Sequence, residues 1–470
     1  MTNAMPDLRP DNMTSARAAE MSAAQPPWLS DRLEWFSDLK FGLMLHWGLY
    51  SQWGCTESWP LVECEPWARD PQLPAWIESG YDLVRFKDAY CKLNETFNPR
   101  DFNPDAWVAA AQAAGMRYFN FVTKHHDGFC LFDTATTDYR ATHPSCPFHD
   151  HPYANVARVL FDRFRAAGLA ISCYFSKSDW HSPYYWSPNA PATTRNPNYG
   201  MLADAARWRK FVEFTHTQIQ ELMTGYGPID VLWLDGGQVR PPDQDIDVDR
   251  LVAMARRHQP GLIVVDRTVG GPHENILTPE QQIPDQPLSG VWETCLTLGT
   301  SFSYKPNDEY KSVRQLIAIL VDIVSKGGNL LLGVGADRHG ALPTEVVERL
   351  KGVGAWLAVN GEAIYGTRSP AKWSAPFQQS DDALDIRYMR KGKTLYAIIL
   401  AKPMQQRPPK TIRLKGIRLR PRSPISLLGV EEQVSWEQHG DDAVVTIPTA
   451  QLDREPARPA WVLRIECTKS

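Results

Sequence analysis

The chain is short of several features that would sort a 470-residue protein quickly. No apolar run approaches the roughly 18 residues that cross a bilayer, so no helical membrane span and no membrane partner is expected. Its eight cysteines (Cys55, Cys64, Cys91, Cys130, Cys146, Cys173, Cys295 and Cys467) form no CxxC pair and no disulfide-like spacing. Cys173, in LAISCYFS, sits in a strand-like stretch where a free thiol behaves as a small hydrophobe, which fits a reducing compartment. A surplus of one charge is missing too. Lys and Arg total 50 against 54 Asp and Glu, a formal net charge of −4, with a pI near 6.3. Nothing there calls for nucleic acid or an anionic surface as partner. Residues 1–27 lack the apolar core of a secretory signal. The sequence therefore reads as a disordered tail over 1–30 and a cytoplasmic protein, periplasmic if a leader precedes the given start. No repeat of solenoid period is found, and a homo-oligomer is compatible with the composition.

What is present is a globular chain with 43% hydrophobic and 22% charged residues, long enough for two or three domains. It is rich in aromatics, with 17 Trp, 16 Tyr and 17 Phe. Many of the Trp lie near His, Asp or Glu in the first 300 residues. Aromatic faces stack on the C–H faces of sugars, although any one Trp also fits simple core packing. From about 35 to 365, strand-length apolar runs alternate with helical patterns: FGLMLHW (41–47), YFNFVT (118–123), LAISCYF (169–175), IDVLWLD (229–235), LIVVDR (262–267) and NLLLGVG (329–335). Runs apolar on both faces belong to a buried parallel sheet. Repeated strand–helix units over that length predict an α/β fold, a (β/α)8-like barrel, over 31–367. Beyond Gly366, short runs such as LYAIIL (395–400) and AWVLRIE (460–466) are divided by Pro, Gly and Asp turns. They predict an all-β sandwich over 368–470.

In a barrel, chemistry gathers at the C-terminal ends of the strands. Those positions hold His46 and Trp47, with Glu57 and Trp59 in the following loop; His125 and His126; Tyr174; Trp233 and Asp235; Arg267; and, downstream, Glu293. Two carboxyl groups, hydrogen-bond donors and an aromatic wall are the inventory of a retaining glycosidase. Asp235 closes an apolar strand and is followed by Gly236 and Gly237, so it is the nucleophile candidate. Read alone, the same residues also fit a solvated Asp-Gly-Gly turn, His125 and His126 fit backbone-bonded histidines, and Arg267 fits an ion pair with Asp230 or Asp266.

At these motifs the sequence resembles the α-L-fucosidases of glycoside hydrolase family 29. The matching stretches include KFGLMLHWGLYSQWG, TKHHDGFCLFDTATTDY, YFSKSDWHSP, YGPIDVLWLDGG, TPEQQIP, VWETC and GGNLLLGVG, spread in order over most of residues 35–367. The resemblance implies a double displacement without metal or cofactor, on a fucosylated oligosaccharide or glycoconjugate. It implies Asp235 as nucleophile, with His46, Glu57, His125, His126, Tyr174, Trp233 and Arg267 holding the sugar. Glu293 and Glu280 both match positions given the acid/base role; Glu293 is preferred, with Glu274 third. Two departures stand out. Ser58 separates Glu57 from Trp59, which are commonly adjacent in the family, and Gly333-Val334-Gly335-Ala336 stands where NVGP is common. Two rival readings remain, a metal-dependent hydrolase built on His149-Asp150-His151 and a catalytically silent sugar-binding barrel.

Overall fold

The computed structural model describes residues 26–62, 66–68, 83–190, 193–373, 375–380, 384–403, 405, 407–430, 434–448 and 458–466. The first of these form helix α1 (Pro27–Leu39), so Pro27 to Ser30, read from sequence as tail, are helical. Residues 1–25, Cys64 and Cys467 lie outside the described residues. No described helix is long and apolar enough to cross a membrane.

Seven parallel strands form the first sheet: β1 (Phe41–His46), β2 (Tyr118–Val122), β3 (Ala170–Ser176), β4 (Val231–Asp235), β5 (Ile263–Asp266), β6 (Glu293–Thr297) and β7 (Asn329–Gly335). Their order is β5-β4-β3-β2-β1-β7-β6. Helices α2 (Leu83–Cys91), α3 (Pro104–Ala114), α4 (Val156–Ala166), α5 (Ala205–Gly225), α6 (Val248–His258), α7 (Val313–Ser325) and α8 (Thr344–Asn360) intervene. The punctuation follows the sequence. The Asn103 side chain accepts from the backbone N–H groups of Asp105 and Ala106, Pro104 opens α3, and Gly115 ends it at φ 78°.

The expected eighth strand is absent among the described residues, and a segment without regular structure takes its place. Asp266 N–H donates to His273 O (2.9 Å) and Asn275 N–H to Val264 O (2.9 Å). On the other side Glu293 N–H donates to Leu277 O (2.9 Å) and Cys295 N–H to Pro279 O (3.1 Å). Residues 273–281 thus bond to both β5 and β6 and close the gap between them. The sequence explains why no strand–helix unit forms here. Gly270, Gly271, Pro272, Pro279, Pro284, Pro287 and Gly290 fall within 25 residues and deny both a ladder and a helix their N–H groups or their rigidity.

Side chains alternate across each strand. One face supplies Met44, Tyr118, Val122, Tyr174, Val231, Trp233, Ile263, Val265, Cys295 and Leu331 to an interior cluster, sealed at the N-terminal end by Leu29, Leu33 and Phe36 of α1. The other face packs under the surrounding helices.

The C-terminal part has two antiparallel sheets. One comprises β8 (Gln378–Ser380), β9 (Asp385–Lys391), β10 (Thr394–Leu400), β12 (Ile425–Leu427) and β15 (Ala460–Glu466), in the order β12-β15-β10-β9-β8. The second comprises β11 (Thr411–Leu414), β13 (Ser435–His439) and β14 (Asp442–Thr446). β10 is covered on both faces. Ala397 and Ile399 join Ile412, Leu414, Ala443 and Val445 in the sandwich core. Tyr396, Ile398 and Leu400 instead join the apolar cluster of the barrel. Trp356 Nε1–H donates to Ala460 O (3.0 Å), and Arg387 pairs with Asp322 (2.6 Å), across the same junction.

Candidate active site

The alternation that fills the barrel also builds its mouth. On β4, Val231 and Trp233 point inward, so Asp235, two residues on, rises from the same face. The same phase turns His46 inward above Met44 on β1, Tyr174 inward on β3, and Arg267 inward beyond Val265. After Asp235 the chain must turn sharply. Gly236 has φ 91°, and a Cβ on Gly237 would lie 2.0 Å from Thr268 Oγ1, so only glycine lets the β5 loop close in.

Three donors converge on the Asp235 carboxylate. Tyr174 O–H donates to Oδ2 (2.7 Å), Arg267 Nη1–H donates to Oδ1 (3.0 Å), and His126 Nε2 stands 3.5 Å from Oδ2. Burial on its own would push this carboxyl up. The Arg267 charge, with His126 and Tyr174, overcomes it and holds Asp235 well below the ordinary carboxylate range. The group is therefore an anion at neutral pH. The alternatives open at the sequence level are closed by partners: Asp230 pairs with Arg32 (2.7 Å) and Asp266 with Lys177 (2.5 Å), leaving Arg267 to the mouth. Replacing Arg267 with Met leaves burial unopposed by that charge, so Asp235 takes up its proton at higher pH. The acid limb of kcat/KM should move to higher pH, and loss of the charged hydrogen bond should lower kcat/KM at neutral pH about 10–100-fold. An unchanged acid limb would show that Arg267 does not set the charge of Asp235.

The three acid/base candidates occupy different surroundings. Arg267 Nη2 donates to Glu280 Oε2, so one guanidinium grips both Asp235 and Glu280. The Glu280 side chain keeps 30% of its surface accessible, against 13% for Asp235. Glu293, preferred from sequence, is buried with 1% exposure. Trp233 Nε1–H donates to its Oε1 (2.9 Å) and Tyr118 O–H to its Oε2 (2.9 Å), so both oxygens are occupied inside the barrel. Glu274 is buried and bonded to the backbone N–H groups of Thr268 (3.0 Å) and Gly270 (2.7 Å), where it braces the β5 loop.

The histidines form one wall. Burial pushes His46 down to about 3 and His125 well below the usual value, so both are neutral donors or acceptors. The Nδ1 atoms are tied to serines: His125 to Ser58 Oγ, and His126 to Ser178 Oγ (2.6 Å). Ser58, the residue inserted between Glu57 and Trp59, thus orients a site histidine. Glu57 has φ 41°, a left-handed conformation costly for a residue with a Cβ. Hydrogen bonds from Ser303 N–H (2.7 Å) and Ser301 Oγ (2.9 Å) to its Oε1 hold it. Trp59 is half-buried, its ring 5.2 Å from that of His126, with the Arg195 guanidinium 5.0 Å from its centroid.

Sequence reasoning missed the loop after β6. Phe302 is half-buried with its ring 5.2 Å from His46, and Ser301 and Ser303 flank it. The readable signal was Gly333 in GGNLLLGVG: a Cβ there would sit 2.4 Å from Phe302 Cδ1. Trp47 is the opposite case. Next to His46 in sequence, it points to the other face, where it stacks on Phe102 (4.9 Å) and donates from Nε1 to Asp337 O (2.7 Å). At 1% exposure it belongs to the outer packing layer and not to the pocket. Trp47→Ala should cost about 3–5 kcal/mol of stability, read as a lower urea midpoint, while KM of the folded enzyme stays unchanged; a raised KM would return Trp47 to the site.

The His149-Asp150-His151 run does not converge. His149 Nδ1 meets Cys146 O (2.8 Å), Asp150 pairs with Arg100 (2.8 Å), and His151 stacks on Phe148 (4.6 Å). Among the described residues no group of three or more His, Cys, Asp or Glu is arranged to hold a metal ion.

Residues 12–362 match the family model described as Alpha-L-fucosidase, and residues 378–466 match that of the Alpha-L-fucosidase C-terminal domain. The plasma alpha-L-fucosidase of Rattus norvegicus is 28% identical over 471 residues, covering 96% of each chain. Among solved structures, alpha-L-fucosidase isoenzyme 1 from Paenibacillus thiaminolyticus is 31% identical with a TM-score of 0.72, covering 94% of this chain and 100% of that one. The Thermotoga maritima alpha-fucosidase in complex with fucose is 28% identical with a TM-score of 0.72, covering 93% and 98%. With the barrel, the carboxylates at its mouth and both family models in agreement, the chain belongs to the α-L-fucosidase family.

Proposed function

We propose that the protein is a retaining exo-α-L-fucosidase in which Asp235 is the nucleophile and Glu280 the acid/base. The observation that carries this reading is the Arg267 guanidinium, which holds both carboxyl groups at the open end of the barrel. One guanidinium keeps them close, in keeping with the separation of about 5–5.5 Å of a retaining pair, whereas an inverting pair needs room for an intervening water.

A terminal α-L-fucosyl residue enters with Trp233 beneath it, His46, His125 and His126 beside its hydroxyls, and Phe302 against its C5 methyl. Asp235 attacks C1 while Glu280 gives its proton to the departing glycosidic oxygen. Esterified Asp235 carries no charge, which leaves the Arg267 guanidinium to the Glu280 carboxylate formed in that step. Glu280 then takes a proton from water as that water attacks C1, and α-L-fucose leaves with its configuration retained.

Hydrolysis of an aryl α-L-fucoside, with the product followed by proton NMR before mutarotation, tests the reaction. The α anomer should appear first. First appearance of β-L-fucose, or binding of fucose without turnover, would overturn the mechanism or the activity respectively.

A further inference from the structure

Glu293 has both carboxyl oxygens bonded inside the barrel, where it is 1% exposed. Its neighbours show what it can do. Trp233, which donates to Glu293 Oε1, stacks on Tyr174 with ring centroids 5.2 Å apart and an interplanar angle of 21°. The Arg267 guanidinium carbon stands 5.3 Å from the Trp233 ring centroid. Tyr174 and Arg267 are two of the three groups aimed at Asp235. A single indole therefore underlies the donors that define the nucleophile, and its only polar atom is fixed by Glu293.

We propose that Glu293 is a positioning residue that holds the Trp233 indole as the pocket floor, and through it sets the aim of Tyr174 and Arg267 at Asp235. This rests on the reading of Asp235 and Glu280 given above. The site suits a carboxyl group better than an apolar one, since a buried indole N–H without an acceptor loses its hydrogen bond outright. It also tolerates a neutral acid. Burial pushes the Glu293 carboxyl up to about 7, against the pull of Trp233 and Tyr118. When Oε2 carries the proton it can donate to the Tyr118 oxygen, and the Tyr118 proton can turn to Leu330 O at 3.4 Å. Trp233 keeps its acceptor in either state, so the floor stays fixed while the proton comes and goes.

The test uses the full-length enzyme and two substrates, a dinitrophenyl fucoside whose leaving group needs no protonation and an alkyl fucoside whose leaving group does. Glu293→Ala should lower kcat about 10–100-fold on both substrates alike with KM changed less than about threefold, and azide should restore nothing. Glu293→Gln, which keeps an oxygen for the indole N–H, should return to within about threefold of wild type. Trp233→Phe keeps an aromatic ring, smaller than the indole, and removes the N–H; it should reproduce the loss and show no added loss when combined with Glu293→Ala. If Glu293→Ala does not fold, the Gln and Phe variants alone decide. A loss confined to the alkyl fucoside and rescued by azide would make Glu293 the acid/base and overturn the proposal. So would wild-type kcat in Glu293→Ala, or a full loss in Glu293→Gln with Trp233→Phe unaffected. An error in the Glu280 assignment would show separately, in the leaving-group dependence of Glu280 variants.

Discussion

Asp235→Ala should abolish turnover, with kcat lower by about 10⁴-fold or more, because it removes the group that forms the bond to C1. Arg267 remains satisfied by Glu280, and Tyr174 keeps Ser176 Oγ within 3.0 Å, so the variant is expected to fold with its pocket intact. The cavity left by the carboxylate admits a small anion. With azide and an activated aryl α-L-fucoside, activity should return and the product should be β-L-fucosyl azide, formed by one displacement instead of two. The anomer is read by NMR coupling constants. Recovery of an α-azide, or more than a tenth of wild-type activity without azide, would remove Asp235 from its role. A 2-deoxy-2-fluoro fucosyl donor should label Asp235 in the wild type, since the fluorine slows breakdown of the ester; a label on another residue would do the same damage.

Glu280→Ala should produce the second-largest loss, and one with a different shape. Removal of a general acid costs about 10²–10⁴-fold where the leaving group needs its proton and little where it does not. Alkyl and oligosaccharide fucosides should therefore lose far more than dinitrophenyl fucoside. With the latter, the ester on Asp235 should accumulate because the second step lacks its base. Azide attacks that ester without base assistance, so the rescued product should be the α-azide, opposite to that of the Asp235 variant. An unbiased loss across leaving groups, or no azide product, would transfer the role elsewhere. Loss of Glu280 also frees one arm of Arg267, so the acid limb should be checked for a small displacement.

Much of this arrangement could be read from the chain, and what escaped did so for physical reasons. IDVLWLDGG announced both the strand and its terminal carboxylate, because alternation and the two following glycines are local properties. The cap at Asn103 and the stop at Gly115 are local as well. The lack of an eighth strand among the described residues is legible too, in the density of Pro and Gly over 268–292. Trp47 is next to His46 in sequence, yet the two-residue period of a strand sends such neighbours to opposite faces. Glu293 is a harder case. Its inward direction follows from its strand, but its depth depends on how β6 is staggered against β4, and stagger is fixed by closure of the whole sheet. Phe302 and Ser58 sit in loops whose course is set by what they pack against, so their roles emerge only with distances in hand.

The double-sided burial of β10 has a consequence for anyone hoping to shorten this enzyme. Cutting the chain near residue 367 would not trim away an appendage; it would peel the cladding from α7 and α8 and leave their greasy flank bare to water. The truncated barrel should clump rather than work, even though every group that touches the sugar would still be encoded.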